Sequence, residues 1–198
     1  MTGGIGSGKS EASKIFKSLS VPLLDLDDIA YKITQKDCPG YIEIIKYFGN
    51  KYLDNNKNII RKSIKVDIFN SISIKKKIES ILHPIIFCEC RKQICKYKSE
   101  EYIVIVIPLL FETENYLKLI DESLLIDCNV DAQLKRVSNR DKLDGRLIKS
   151  IINSQLSRDQ KIEKADKIIE NNFSKDFLKN AICQYHEELK LKIDKKYI

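Results

Sequence analysis

The 198-residue chain has no apolar run long enough to cross a bilayer. Its longest, residues 103–111, contains Pro108 and falls well short of the ~20 residues a spanning helix needs. No charged-then-apolar leader opens it, so the expectation is a cytoplasmic chain without a membrane partner. Cysteine is present but unpatterned. Cys38, Cys88, Cys90, Cys95, Cys128 and Cys183 include no C-x-x-C pair, and no histidine stands at ligand spacing beyond them. That argues against a zinc site or a disulfide framework and reads as reduced thiols. Repeats and low-complexity linkers are missing too.

Arginine is also scarce. Lysine and arginine total 35 against 28 acids, a formal +7, yet the arginines are only 61, 91, 136, 140, 146 and 158. The lysines are scattered, and Lys75-Lys76-Lys77 reads as a solvated helix face, so the charge is compositional drift and not a nucleic-acid surface. Where lysine serves for general charge, a retained arginine points to a need for its planar fork. Four of the six fall between 136 and 158, which predicts a phosphate-gripping segment there.

One element is missing where it is most expected. Residues 3–10, Gly-Gly-Ile-Gly-Ser-Gly-Lys-Ser, satisfy G-x-x-x-x-G-K-[ST]. In this pattern glycines let backbone N–H groups wrap a phosphate, the lysine reaches the outer phosphates and the serine takes Mg²⁺. Ala12, Ile15, Phe16 and Leu19 follow at helical spacing, so a helix opens at the Lys9-Ser10 end and adds its positive terminus. A buried strand normally precedes such a loop, and only Met1 and Thr2 do so here. The expectation is that the true start lies upstream, or that these two residues are the stub of that strand.

Downstream, Val21–Leu24 reads as a short strand ending in Asp25, and residues 28–100 read as helical. Within that stretch Tyr41, Ile44, Ile45 and Phe48 share a face closed by Gly49. Ile74, Ile78, Ile81 and Leu82 form another stripe, with Pro84 suited to the first turn of a following helix. Strands are expected over 102–107, 123–127 and 167–170. Helices are expected near 131–140, over 144–160 and from Ser174 onward. Strands alternating with helices imply a parallel α/β sheet with ligands at the strands' carboxyl ends. Asp25 and Asp27 stand at such an end. Asp28 fits a helix cap, which leaves Asp27 to orient an acceptor hydroxyl, take its proton, or hold Mg²⁺ through water.

With these residues in place the chain resembles the dephospho-CoA kinase family. The likeness is carried in order by Thr2–Ser10, Asp25-Leu26-Asp27 with Ile29-Ala30, Phe48-Gly49, Ile60-Arg61 and Ile81-Leu82-His83-Pro84. It continues through Pro108-Leu109-Leu110-Phe111-Glu112, Gln133–Arg136 with Asn139-Arg140-Asp141, Gln155 with Arg158, Ala165-Asp166 and Ile169–Asn172. The first and the Pro108–Glu112 segments together are close to diagnostic.

The resemblance implies transfer of phosphate from ATP to the ribose 3′-hydroxyl of dephospho-CoA, the last step of coenzyme A synthesis, with Mg²⁺. It implies one domain over 1–198 with a five-stranded parallel P-loop core (1–27 and 101–198), a helical acceptor-side insertion (28–100) and a lid (141–160). Gly3, Gly4, Ile5, Gly6, Ser7, Gly8, Lys9 and Ser10 would cradle ATP. Arg140, helped by Arg136 or Arg158, would bridge its phosphates, and Asn171 and Asn172 would lie near adenine. Asp27, Lys9 and Arg140 would be catalytic, and Ser10 and Asp27 would face the metal. Arg61, His83, Leu109, Leu110 and Glu112 would line the acceptor side, His83 having an equal claim as a structural residue, Leu109 and Leu110 serving packing more than specific recognition, and Glu112 holding a substrate group or capping a helix.

Partners are expected to be these small molecules, in a monomer or weak homo-oligomer. Glu11 and Phe173 depart from the family pattern, the latter standing where a glycine commonly follows the Asn pair. A nucleoside or nucleotide kinase is the nearest rival reading. A GTP switch lacks its Asn-Lys-x-Asp reader, and a degenerate, poorly folding chain is kept in view by the missing strand.

Overall fold

The computed structural model describes residues 1–141 and 144–196. The chain divides into two compact units, Met1–Leu23 with Tyr97–Ile198, and Leu24–Lys96. Among the described residues no helix is long and apolar enough to cross a membrane.

The first unit is built on short parallel strands. Helix α1 (Lys9–Ser18) leads to β1 (Leu23–Asp25), which pairs with β2 (Val104–Val106). Strand β3 (Leu124–Asp127) pairs in parallel with β4 (Lys167–Glu170), with Ile126 opposite Ile169. Residues 1 and 2 lie between the two pairs. The Met1 amino group donates to the Ile105 carbonyl at 2.7 Å, and Ile107 N–H donates back to Met1. On the other side Thr2 N–H donates to Leu124, and Ile126 N–H to Thr2. The expected stub is therefore hydrogen-bonded on both edges, which satisfies buried backbone groups that would otherwise be orphaned.

Period-2 alternation along these strands places the core. Val104, Val106, Leu124, Ile126 and Ile169 meet Ala12, Ile15 and Phe16 of α1 and Leu178, Ile182 and Tyr185 of α9 (Lys175–Lys196). Leu125, 1% exposed, belongs to the opposite face, where α6 (Val130–Asp141), α7 (Gly145–Asn153) and α8 (Arg158–Lys164) follow. The single helix expected over 144–160 is thus two. Ser154 ends α7, and Ser157 opens α8 through a capping box with Gln160, giving the chain a better-satisfied break than a continuous turn.

The second unit is helical, as expected. It contains α2 (Leu26–Ile33), α3 (Pro39–Phe48), α4 (Arg61–Asn70) and α5 (Ile72–Ile94) around Ile44, Tyr52 and Ile78. Gly49 closes α3 at φ 59°. Two readings are corrected. Asp25, not Asp28, caps α2, its carboxylate accepting from Asp27 N–H at 2.9 Å, so the helix begins as soon as β1 ends. Pro84 lies inside α5 and not at a helix start. Buried Ile78 precedes it and Ile86 and Cys90 follow, and this continuous packed face carries the helix through the missing N–H.

Asp166 clasps the entry of β4 to the start of β3. Its carboxylate accepts from Ser123 N–H at 2.8 Å and from Ser123 Oγ at 2.6 Å. The Ser123 hydroxyl and N–H hold its pKa below the usual carboxylate value. A depressed pKa adds stability above the unfolded value that is lost as pH falls through the folded one. Asp166→Asn is expected to cost about 1 kcal/mol at neutral pH, since the pair is water-screened. In thermal melts the gap to wild type should close as pH drops below about 4.

Candidate active site

The sequence 3–10 folds into a loop that wraps back over the start of α1. Gly6 (φ 71°) and Gly8 (φ 104°) occupy the left-handed region that lets successive N–H groups converge. The α1 terminus has no side-chain cap: Gly8 holds the N-cap position, and its carbonyl accepts from Glu11 and Ala12. The first N–H groups of a helix lack intrahelical acceptors, so an uncapped, glycine-led terminus suits an anion. Ser7 Oγ is buried without a hydrogen-bond partner. Lys9 Nζ lies over the loop, donating to Gly3 O at 2.6 Å and Gly4 O at 3.1 Å, while Ser10 is exposed on the first turn.

Long-range contacts hold this loop. Buried Asn171 donates from Nδ2 to Ser7 O at 2.8 Å. Arg136 donates from Nη2 to Asn171 O at 2.7 Å and from Nη1 to Gly6 and Ser7 carbonyls at 3.4 and 3.5 Å. Asn172 Oδ1 accepts from Asn129 N–H at 2.8 Å. The structure thus brings Gly3–Ser10, Arg136, Asn171 and Asn172 together.

Arg158 forks onto Asp127 at the carboxyl end of β3, with Nε–O distances of 3.0 and 2.9 Å and an Nη2–O distance of 2.6 Å. Arg140 is exposed and bound by its neighbour Asp141, at 2.8 and 2.6 Å. Glu112 Oε1 accepts from Leu156 N–H at 3.1 Å. Leu109 is exposed and Leu110 fully buried. Residues 142 and 143 of the expected lid lie outside the described residues.

A cavity of about 360 Å³ lies against Gly4, Asp127, Gln133, Gln155, Arg158 and Lys161. Sequence reasoning missed four of these as site residues: Asp127, Gln133, Gln155 and Lys161. Gln155 Oε1 accepts from Lys161 Nζ at 3.2 Å and from Ile5 N–H at 3.4 Å, linking the phosphate loop to α8. Lys161 is 8% exposed, and that burial draws its pKa below the ordinary lysine value. Asp127 could have been flagged by the rule that singled out Asp25 and Asp27, since it too ends a strand. Lys161 gives no local signal.

In the second unit, Asp27 is exposed in the first turn of α2. Burial is the main influence raising the pKa of Asp25, with the Asp27 and Asp28 charges adding to it. Arg61 stacks over the Tyr31 ring at 4.2 Å and donates to Tyr31 O at 2.8 Å and Thr34 Oγ at 2.7 Å. His83 is half-buried on α5.

A parallel sheet flanked by helices, with a G-x-x-x-x-G-K-S loop at a strand end and an uncapped helix after it, defines a P-loop kinase fold. The sequence profile described as dephospho-CoA kinase matches residues 1–176. The dephospho-CoA kinase of the gamma-proteobacterium EBAC31A08 is 36% identical over 94% of this chain and 93% of its own length. The solved dephospho-CoA kinase from Campylobacter jejuni superposes with a TM-score of 0.70 at 31% identity, covering 95% of this chain and 94% of that one. TT1252 from Thermus thermophilus shares the fold, with a TM-score of 0.79 at 24% identity and 95% of each chain covered. The chain belongs to the dephospho-CoA kinase family.

The loop geometry makes a test. A Cβ on Gly8 would lie 2.1 Å from Asn171 Nδ2, at a φ that side chains avoid, whereas one on Gly145 meets nothing within 4 Å. Gly8→Ala should cost about 1–3 kcal/mol and abolish the rise in Tm that ATP gives. Gly145→Ala should leave both unchanged, as differential scanning fluorimetry would show.

Proposed function

We infer that this chain transfers the γ-phosphoryl group of ATP to the ribose 3′-hydroxyl of dephospho-CoA, releasing coenzyme A and ADP. The observation that carries the reading is the uncapped phosphate loop within residues that match the family from 1 to 176. The new bond joins the 3′-oxygen to the γ-phosphorus, the bond from the γ-phosphorus to the β,γ-bridging oxygen breaks, and the hydroxyl proton passes to the Asp27 carboxylate. Because such transition states are largely dissociative, Asp27 contributes chiefly by orienting the hydroxyl.

Lys9 would exchange its loop carbonyls for phosphate oxygens, and Arg140 would exchange Asp141 for the same. Arg136, its fork spent on loop carbonyls, would help by holding the loop in shape. Arg158 would reach phosphate only by leaving Asp127. Ser10 and Asp27 would be the residues to hold Mg²⁺, and the metal would supply neutralisation of charge on the β- and γ-phosphates. No cluster of three or more His, Cys, Asp or Glu side chains among the described residues offers a separate cage, and Mg²⁺ is commonly held this way by few protein ligands.

Asn171 and Asn172 would border the adenine side. Arg61, His83, Leu109 and Glu112 would line the acceptor side, with Leu110 packing beneath. We read the hydrogen bonds of Met1 and Thr2 as joining the two strand pairs into one five-stranded parallel sheet with those residues at its centre. We read 28–100 as the acceptor-binding insertion, 141–160 as the lid, and the working form as a monomer or weak homo-oligomer.

The test is Mg²⁺-dependent ADP release with dephospho-CoA against AMP, uridine and no acceptor, where only dephospho-CoA should stimulate. Lys9→Ala should abolish turnover. Asp27→Asn should keep ATP affinity and lower kcat by about 100-fold or more. A collapse of ATP binding in that variant would instead make Asp27 a metal or structural residue.

A further inference from the structure

We propose that Phe173, backed by Phe177, is the platform on which the base of ATP stacks. The inference rests on the assignment of ATP to the phosphate loop.

Phe173 follows β4, at the carboxyl end of the sheet, where ligands of such folds bind. The residues on either side of it are fixed to the phosphate-binding end of α1. Two residues before, Asn171 Nδ2 bonds Ser7 O at 2.8 Å. Two residues after, Lys175 Nζ lies 4.0 Å from Glu11 Oε1, in the first turn of α1. Chain geometry therefore keeps the Phe173 Cα within about 7 Å of the Asn171 Cα and so beside the loop.

Yet the Phe173 ring is 61% exposed and Phe177 46% exposed, their centroids 4.7 Å apart at 56°. Ser174 Oγ accepts from Phe177 N–H at 3.2 Å, which fixes the helix start carrying the second ring. The two rings touch each other and stay exposed, on a segment that Asn171 ties to the phosphate loop. A nucleoside whose phosphates fill the loop places a flat π-face next to them. A planar base is the occupant whose position follows from the neighbouring phosphate site, and an aromatic stack strengthens its binding by about tenfold.

The chain has no tryptophan, so Phe173→Trp places a single tryptophan at this point, whose emission can be excited apart from that of the nine tyrosines. ATP should quench its emission, and inorganic tripolyphosphate, which fills the loop without a base, should not. Phe173→Ala should raise KM for ATP about tenfold. Its kcat and its KM for dephospho-CoA should stay within about twofold of wild type. Equal quenching by tripolyphosphate, an unchanged KM for ATP, or a rise in KM for dephospho-CoA instead would overturn the proposal. If ATP alone quenches but dephospho-CoA is not phosphorylated, the stacking stands and the acceptor assignment falls. If wild type turns over normally and the KM for ATP ignores Phe173→Ala, the stacking alone falls.

Discussion

The phosphate loop keeps its shape because Asn171, 164 residues beyond Ser7 along the chain, is bound from every side.

 Its side-chain amide bonds Ser7 O, its own N–H bonds Asp127 O at 2.7 Å, and its carbonyl receives Arg136. A group this buried loses free energy with every partner it lacks, so the full set of contacts admits one loop conformation. Gly8 follows from the same constraint, since the Asn171 amide occupies the space a side chain there would need. The loop is therefore shaped from behind, by β4 and α6, as much as by its own glycines.

Four cations of α6 and α8 share a second property: each is held by protein groups. Arg136 sits on carbonyls, Arg158 on Asp127, Arg140 on Asp141, and Lys161 on Gln155. The partners differ in depth. The Asp127 side chain is 6% exposed, whereas Arg140 and Asp141 face water, at 61% and 32%. Water screening makes the exposed pair weak, and the desolvated carboxylate makes the buried one costly to break. The Arg140–Asp141 pair is thus the more easily exchanged of the two, and Arg158 braces α8 against β3.

Much of this was legible locally. The glycine loop, the helix after it, the β-branched strand over 104–106 and the closing strand Lys167–Glu170 all declare themselves through spacing and side-chain type, because each is decided by neighbours in the chain. The failures share the opposite cause. Pro84 was read as a helix start because its missing N–H is a local fact, while the packed face of Ile78, Ile86 and Cys90 that overrides it is a tertiary one. The break at residues 154–157 was hidden because its helical pattern resumes at once beyond the cap. Apart from these failures, the part of Asn171 as a brace depends on a partner at residue 7 that no periodicity exposes. Arg158 was noticed for being an arginine, but its partner Asp127 was not.

The short pairing of Met1 and Thr2 bears on the order in which the molecule can be made. Met1 bonds residues 105 and 107, and Thr2 bonds 124 and 126. The phosphate loop therefore leaves a ribosome well before the strands that flank the residues ahead of it, Ile105 lying 104 positions beyond Met1. Its lock to Asn171 spans a separation of 164 residues. Contacts this distant must await closure of long loops. Nucleotide-binding competence is thus a late event of folding, acquired when β4 docks, and a nascent chain halted before residue 171 would carry the complete glycine motif without the shape that makes it a phosphate site.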